Sequence, residues 1–239
     1  GEEDLKVASK PKFRQMEFTP NKIIVLCYAT DELLQDASML ESIIRQGFAD
    51  EIKFQVESCI VSGSGVGRPL GLTNAACKIT QDKLAGQAAD TFEFGNATAM
   101  WMRLHPSVRK DAIWLINPEV EASIWQFSLS VGTGGSSVYM ASAADSPYST
   151  LFGRPIVPSE HCSALGDEGD VILWSPSQYL LVDKGSTEVA MSIHIRYLYD
   201  ETCFRAVAKF DGMPLWHSAL TPAVSTVTQS SIVTLEERT

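Results

Sequence analysis

The sequence predicts an α+β fold. Three observations predict it: one long amphipathic helix near the amino end, short β-rich segments that alternate with turns in the second half, and the absence of an internal repeat. The chain has 239 residues, of which 45% are hydrophobic, so it can bury a sizeable core in one or two domains.

The long helix is predicted to begin at a Thr30 cap and to end at Gly63. Apolar residues recur there every three or four positions, which is the spacing of one helix face. The stripe comprises Leu33, Ala37, Leu40, Ile44, Phe48, Ile52, Val56 and Ile60. Roughly 33 residues at about 1.5 Å each would give a helix of about 50 Å. A helix of that length in so short a chain predicts an elongated subunit.

The other predicted elements are short. Two further helices are expected, at residues 98–104 and from the Asn117 cap to about residue 127. Strands are expected at residues 23–28, 112–116, 171–174, 179–183, 189–197, 202–210 and 231–235. Residues 130–146, rich in Gly and Ser, predict a long loop, and Asp211-Gly212 predicts a turn.

Composition argues against several classes of protein. The net charge of −10 disfavours a protein that grips nucleic acid phosphates. The longest apolar run, residues 23–29, is about a third of the ~20 residues that cross a bilayer, so we expect no membrane partner. Residues 1–4 are acidic, unlike a secretory signal. Five widely spaced cysteines favour reduced, buried thiols in a cytoplasmic protein.

No residue pattern predicts a catalytic, cofactor or metal site. The glycine-rich segment 63–71 lacks the Gly-Lys-Ser/Thr ending of a phosphate-binding loop and follows a helix instead of a strand. His161 and Cys162 are adjacent, which is an awkward geometry for two ligands of one metal ion. No Gly-x-Ser-x-Gly motif occurs. We therefore expect a protein that is not an enzyme. A cytoplasmic enzyme or binding module with a site assembled by the fold remains an alternative.

The amino-terminal arm, residues 1–22, combines charged residues with a few large apolar ones. Such a segment cannot build a core of its own and predicts an arm that docks on another surface. The residues expected to contact a neighbouring subunit are Lys12, Phe13, Arg14, Met16 and Phe18.

The order of several short segments resembles one protein family over nearly the whole chain. These segments include Thr30-Asp31-Glu32 at the start of the long helix, Trp114-Leu115-Ile116-Asn117-Pro118, Leu151-Phe152-Gly153-Arg154-Pro155-Ile156, Gly169-Asp170 followed by Tyr179 to Asp183, and Phe204-Arg205-Ala206. The family is that of the major capsid proteins of tailed bacteriophages, which have the HK97-type fold. The amino end departs from the family pattern, which implies an N-terminally truncated chain.

The resemblance implies a division into domains. It assigns residues 1–22 to a remnant of the extended loop, 23–96 to the first part of the peripheral domain with the spine helix, 97–190 to the axial domain, 191–225 to returning peripheral strands, and 226–239 to a C-terminal tail.

The resemblance also implies a structural subunit of an icosahedral shell. Copies of the chain would form hexamers and pentamers around packaged double-stranded DNA, which is held without sequence recognition. Scaffold, protease and portal proteins would be further partners. The location would be the virion capsid, after assembly in the bacterial cytoplasm. An encapsulin-like compartment shell is the nearest alternative.

Overall fold

A computed structural model describes residues 14–36, 39–131, 134–137 and 149–238. Its elements, in chain order, are β1 (Asn21–Thr30), α1 (Asp31–Asp36), α2 (Leu40–Ser62), β2 (Ile79–Gln81), α3 (Phe94–Arg103), β3 (Ile113–Ile116), α4 (Pro118–Trp125), β4 (Ser128–Val131), β5 (Gly134–Ser137), β6 (Thr150–Leu151), β7 (Arg154–Pro158), β8 (Val171–Trp174), β9 (Tyr179–Asp183), β10 (Glu188–Arg196), β11 (Glu201–Pro214) and β12 (Ile232–Leu235).

One sheet is built around the long strand β11. Its order is β1-β11-β10, and β9 pairs with the last residues of β11 beyond the end of β10. All ten residues of β1 pair antiparallel with β11. Side chains on one face of this sheet, including Phe204 and Ala206, pack against Phe48 of α2. The opposite face is left open by the described residues around Ile24 and Leu26, which are both more than half exposed.

The predicted long helix is two helices. Met39 adopts a turn between them, and α2 has 23 residues, which corresponds to about 34 Å. The start of α1 is held by β11 and its turn, because Asp31 N donates to Asp200 O and Thr202 Oγ1 donates to the Asp31 carboxylate. These hydrogen bonds, and not the stripe of apolar residues, therefore orient α1.

The predicted stripe is right along α2 and wrong before it. Leu40, Ile44, Phe48 and Ile52 face the four-stranded sheet as expected, whereas Leu33 is half exposed. The next residue, Leu34, packs on the core in place of Leu33. Ala37 lies outside the described residues.

The second sheet has six strands in the order β2-β12-β8-β3-β7-β6. Its central strands β3 and β8 are covered on both faces, which explains their unbroken apolar sequences. One face packs against α3 and α4 through Met100, Val120 and Ile124, and the other packs against Val61 at the end of α2. Val61 therefore joins the long helix to the six-stranded sheet.

Most short elements lie within a few residues of their predicted positions, and two predictions are wrong. Asn117 caps α4 as expected, since its side chain accepts from Glu119 N at 2.9 Å. Asp211-Gly212 is not a turn: both residues lie inside β11 and pair with Val182 and Leu181. The predicted loop at 130–146 contains part of the hairpin β4–β5, and residues 138–148 lie outside the described chain.

Strand pairing groups the chain differently from the expected domain boundaries. Both β2 and β12 belong to the six-stranded sheet. The expected boundaries had placed β2 in the peripheral domain and β12 in the C-terminal tail. β9, from residues 97–190, belongs to the four-stranded sheet instead. The assignment of axial and peripheral domains stays a prediction.

The five thiols are free, as expected. Four of them are buried and Cys27 is half-buried. Burial, with a smaller contribution from the charge of Asp170, raises the pKa of Cys162 to about 12, so this thiol stays protonated and unreactive at neutral pH.

A buried ion pair fixes the segment after β12. The guanidinium of Arg238 contacts the carboxylate of Asp170, and both side chains are fully buried. Arg238 also donates to Thr91 O and to Glu236 O at 3.1 Å, while Gly166 N donates to Asp170. Burial raises the pKa of Asp170, and the hydrogen bond and charge of Arg238 oppose that shift. The pair joins the segment before β8 to the segment after β12, two adjacent strands inside the six-stranded sheet.

We expect Arg238→Ala to lower the free energy of unfolding by about 3–5 kcal/mol, because Asp170 is left as a buried charge without its partner. Urea denaturation followed by circular dichroism would measure the loss. Arg45→Ala is the matched control, since the exposed Arg45–Glu41 pair should contribute less than about 1 kcal/mol. Equal losses in the two variants would contradict the assigned role of the buried pair.

Candidate assembly surfaces

Residues 14–20, the described part of the arm before β1, are attached to the four-stranded sheet at one point. Thr19 N donates to the Asp211 carboxylate at 2.7 Å, and the side chain of Asn21 donates to Thr19 O. Arg14 is exposed, while Met16 and Phe18 are half-buried, so exposure alternates along residues 15–20 as in an extended chain. Lys12 and Phe13 lie outside the described residues. The contact of these five residues with a neighbour stays a prediction.

The root of the arm lies at a joint between the two sheets. The ring of Tyr179, which also packs in the core beside the six-stranded sheet, lies against Gly212, where an added Cβ would be 2.8 Å from ring atom Cε1. The Tyr179 hydroxyl donates to Leu70 O at 3.0 Å, and Leu70 N donates to Gly212 O at 2.8 Å. Burial, followed by the charge of Asp211, raises the pKa of Tyr179, so its hydroxyl remains a donor.

The second surface is formed by the edge strand β10 and by the turn that follows it, residues 197–200, which we call the tip. Large apolar side chains are exposed along both. They are Met191, Ile193, Ile195, Tyr197, Leu198 and Tyr199, with Leu198 93% exposed. A long apolar edge strand of this kind invites pairing or docking by another chain.

The backbone beneath the tip is held in place. Arg196 lies over the ring of Tyr28 at 4.4 Å and forms an ion pair with Glu201 at 3.0 Å. Asp200 has a positive φ of 56°, and its carbonyl accepts from Asp31 N. The exposed side chains are therefore presented by a fixed turn, which reduces the entropy lost when a partner binds.

Sequence reasoning missed this second surface. The alternation of apolar residues from Met191 to Tyr197 predicted a strand, but it does not show that the strand lies at a sheet edge. The polar residues of the alternation, Ser192, His194 and Arg196, indicated an ordinary half-buried strand. The sequence does contain one signal of this surface, the apolar turn Tyr197-Leu198-Tyr199. Turns are usually polar, so large apolar residues in a turn indicate a contact with another chain.

The described residues do not assemble a recognisable catalytic or metal site. No group of three or more His, Cys, Asp or Glu side chains within them could hold a metal ion. His105 Nδ1 lies 2.7 Å from Ser107 Oγ, but the same ring nitrogen accepts from Ser107 N and caps the short turn that follows. A groove of about 560 Å³ between β1 and α2 is lined by Glu51 and Gln55 of α2 and by residues 21–26 of β1.

No helix in the part of the chain that the structure describes is both long enough and apolar enough to span a membrane.

Several solved structures share the fold of this chain. The chain superimposes on the capsid of a native GTA particle with a TM-score of 0.75 and 16% identity, over 98% of this chain and 78% of that one. Gordonia phage Cozz gives a TM-score of 0.67 and 11% identity, over 99% and 76%. The holo-SrpI encapsulin from Synechococcus elongatus PCC 7942 gives 0.58 and 10%, over 91% and 73%. No curated protein sequence matches the chain.

The chain has the HK97-type capsid fold, as the sequence predicted. Residues 1–224 match the phage capsid family, and the chain belongs to that family. The protein is thus a structural capsid subunit that self-assembles, with the virion capsid as its location.

We expect Gly212→Ala to destabilise the protein by about 1–3 kcal/mol, because the new Cβ would press on the Tyr179 ring and on Leu180 O. Thermal unfolding would measure the effect. Gly47→Ala is the control: it lies in α2 with no atom within 4 Å of the added Cβ, and should stabilise by about 0.5–1 kcal/mol. A neutral Gly212→Ala would contradict the close approach at the joint.

Proposed function

We propose that this chain forms a closed icosahedral shell that encloses double-stranded DNA without reading its sequence. The observation that carries the proposal is the apolar tip with the edge strand β10, an unpartnered surface on a rigid support in a capsid-family fold. Contacts between unlike surfaces of identical copies generate rings, and hexamers and pentamers are the rings that an icosahedral shell requires.

The charge of the chain suits a container for DNA. A net charge of −10 disfavours tight binding of phosphates, which would hinder packing and release of the genome. DNA is therefore proposed as contents of the shell and not as a bound ligand. Scaffold, protease and portal proteins are proposed as helpers of assembly, which takes place in the bacterial cytoplasm.

The arm is proposed as the second contact between copies. Met16 and Phe18 present apolar side chains from residues 14–20, a segment in which the described hydrogen bonds to the four-stranded sheet come from Thr19 alone. Residues 1–22 act as the remnant of an extended loop that overlaps a neighbour. The helix α2 with the four-stranded sheet forms the peripheral domain, and α3 and α4 with the six-stranded sheet form the axial domain.

An encapsulin-like compartment is the weaker candidate. The encapsulin superimposes with a TM-score of 0.58, against 0.75 for the GTA capsid, and the family match is to phage capsids. Cargo protein instead of DNA inside purified shells would favour it.

Assembly should depend on the tip. We expect Leu198→Asp, in the protein expressed from its complete gene, to abolish shells in negative-stain electron microscopy while the circular dichroism spectrum and melting temperature stay unchanged, because the side chain is 93% exposed. Val224→Asp is the control at another fully exposed apolar residue and should leave shells intact. Normal shells from Leu198→Asp would exclude the tip as a contact.

The arm should become protected when shells form. Limited trypsin digestion is expected to cut after Arg14 readily in the dissociated subunit and slowly in the shell, because docking on a neighbour would cover this exposed residue. Intact-mass spectrometry of the digests would report the cut. Equal rates in the two states would show that the arm is not an inter-subunit contact.

A further inference from the structure

A basic pocket lies on the open face of the four-stranded sheet. It holds about 310 Å³ and is lined by three strands and by the turn between β9 and β10. Its cations are Lys22 of β1, Lys184 of the turn, and Arg205 and Lys209 of β11, and Glu188 is the one carboxylate in the lining. Four of the 19 basic residues of an acidic chain are thus gathered in one concave site.

The cations of this pocket repel one another in the isolated subunit. Lys22 and Lys209 are direct cross-strand partners, and like charges in that position destabilise a sheet. Lys184 N donates to Lys209 O, which brings a third lysine beside them. All four basic side chains are exposed, and no carboxylate within the described residues lies within ion-pair distance of them. A bound anion would offset this repulsion.

A short acidic peptide fits this pocket better than duplex DNA. The site is concave and includes the apolar side chains of Ile24 and Val207, whereas a duplex needs a broad basic surface. A duplex would also meet the field of a chain with a net charge of −10. The three carboxylates of a short acidic run carry far less charge than a duplex, so the same field opposes them less.

The chain contains a single run of three consecutive acidic residues, Glu2-Glu3-Asp4. In an extended segment Glu2 and Asp4 point to the same side, about 7 Å apart, which suits cations on strands that lie about 4.8 Å apart. Residues 5–13 provide a tether of up to about 30 Å. Glu17 is the one acidic residue in the described part of the arm, and it forms no ion pair with the pocket of its own subunit.

We propose that the basic pocket formed by Lys22, Lys184, Arg205 and Lys209 binds the acidic run at residues 2–4 of a second copy of this chain. The inference rests on the proposed function, and it names the site on the neighbour to which the arm docks. The contact neutralises the Lys22–Lys209 repulsion only in the assembly. It therefore adds stability to neighbouring copies that a dissociated subunit lacks.

Carbodiimide cross-linking tests the proposal directly. Shells are assembled from equal amounts of unlabelled and ¹⁵N-labelled protein, treated with a water-soluble carbodiimide that joins carboxylates to amines, and analysed as peptides by mass spectrometry. We expect links from Glu2, Glu3 or Asp4 to Lys22, Lys184 or Lys209, with about half of them joining one light to one heavy peptide, the random-mixing fraction for two independent copies. Links within one isotope only would show that the run binds its own subunit and would overturn the proposal.

Charge reversal provides an independent test. Lys22→Glu with Lys209→Glu should remove these links and raise the protein concentration needed for assembly on the order of tenfold, an effect that shrinks in high salt. Adding Glu2→Lys, Glu3→Lys and Asp4→Lys to the same chain should restore assembly. Lys110→Glu, an exposed lysine outside the pocket, is the control and should change neither measurement.

The outcomes separate the two levels of inference. Shells without links between residues 2–4 and the pocket would overturn the docking site and leave the capsid function intact. Absence of shells from the unmodified protein would overturn the proposed function itself. Binding of a fluorescent duplex that is lost in Lys22→Glu with Lys209→Glu would show a DNA site in place of the peptide site.

Discussion

The close approach of Tyr179 to the backbone of Gly212 is the constraint on which the arrangement of the two sheets depends. The ring can lie against β11 only because residue 212 lacks a side chain. From that position its hydroxyl reaches Leu70 O, and Leu70 N returns a hydrogen bond to Gly212 O. The end of α2, the four-stranded sheet and the core of the six-stranded sheet therefore meet at one point. Asp211, one residue away, holds the root of the arm through Thr19 N.

The joint also connects to the tip through one strand. The long strand β11 extends from the joint at Gly212 to Glu201, the residue that follows the tip, about 11 residue steps or roughly 37 Å in an extended strand. The helix α2 supports one face of the sheet along this distance, through Phe48 against Phe204 and Ala206. The opposite face carries the basic pocket, and the far end carries the tip, so both surfaces are positioned by the same rigid pair of elements.

Features that depend on neighbouring residues could be predicted from the sequence. Features that depend on contacts between distant residues could not. The helical period located the stripe of α2, and the Asn117-Pro118 pair located the start of α4, because caps and periodicity act over a few residues. Asp211-Gly212 has the composition of a turn, yet it lies in β11 because it pairs with Val182 and Leu181 of β9. The glycine there accommodates the ring of Tyr179, some thirty residues away in the chain. The break at Met39 and the edge position of β10 likewise depend on contacts with β11, which pattern reading does not detect. The family resemblance supplied the fold that those patterns left open.

The two proposed contacts would serve assembly in different ways. The apolar side chains around Leu198 would lose contact with water when covered, which provides affinity that depends little on salt. The basic pocket around Lys22 and Lys209 would contribute less energy, but it would repel a neighbour that does not bring an anion and so fix the register of the contact. Each contact alone would be weak, so a subunit could dissociate from a wrong position. In the proposed ring every copy makes both contacts, and the free energy needed to remove a copy is the sum of the two. Such rings would accumulate because only they satisfy the apolar and the charged surface together.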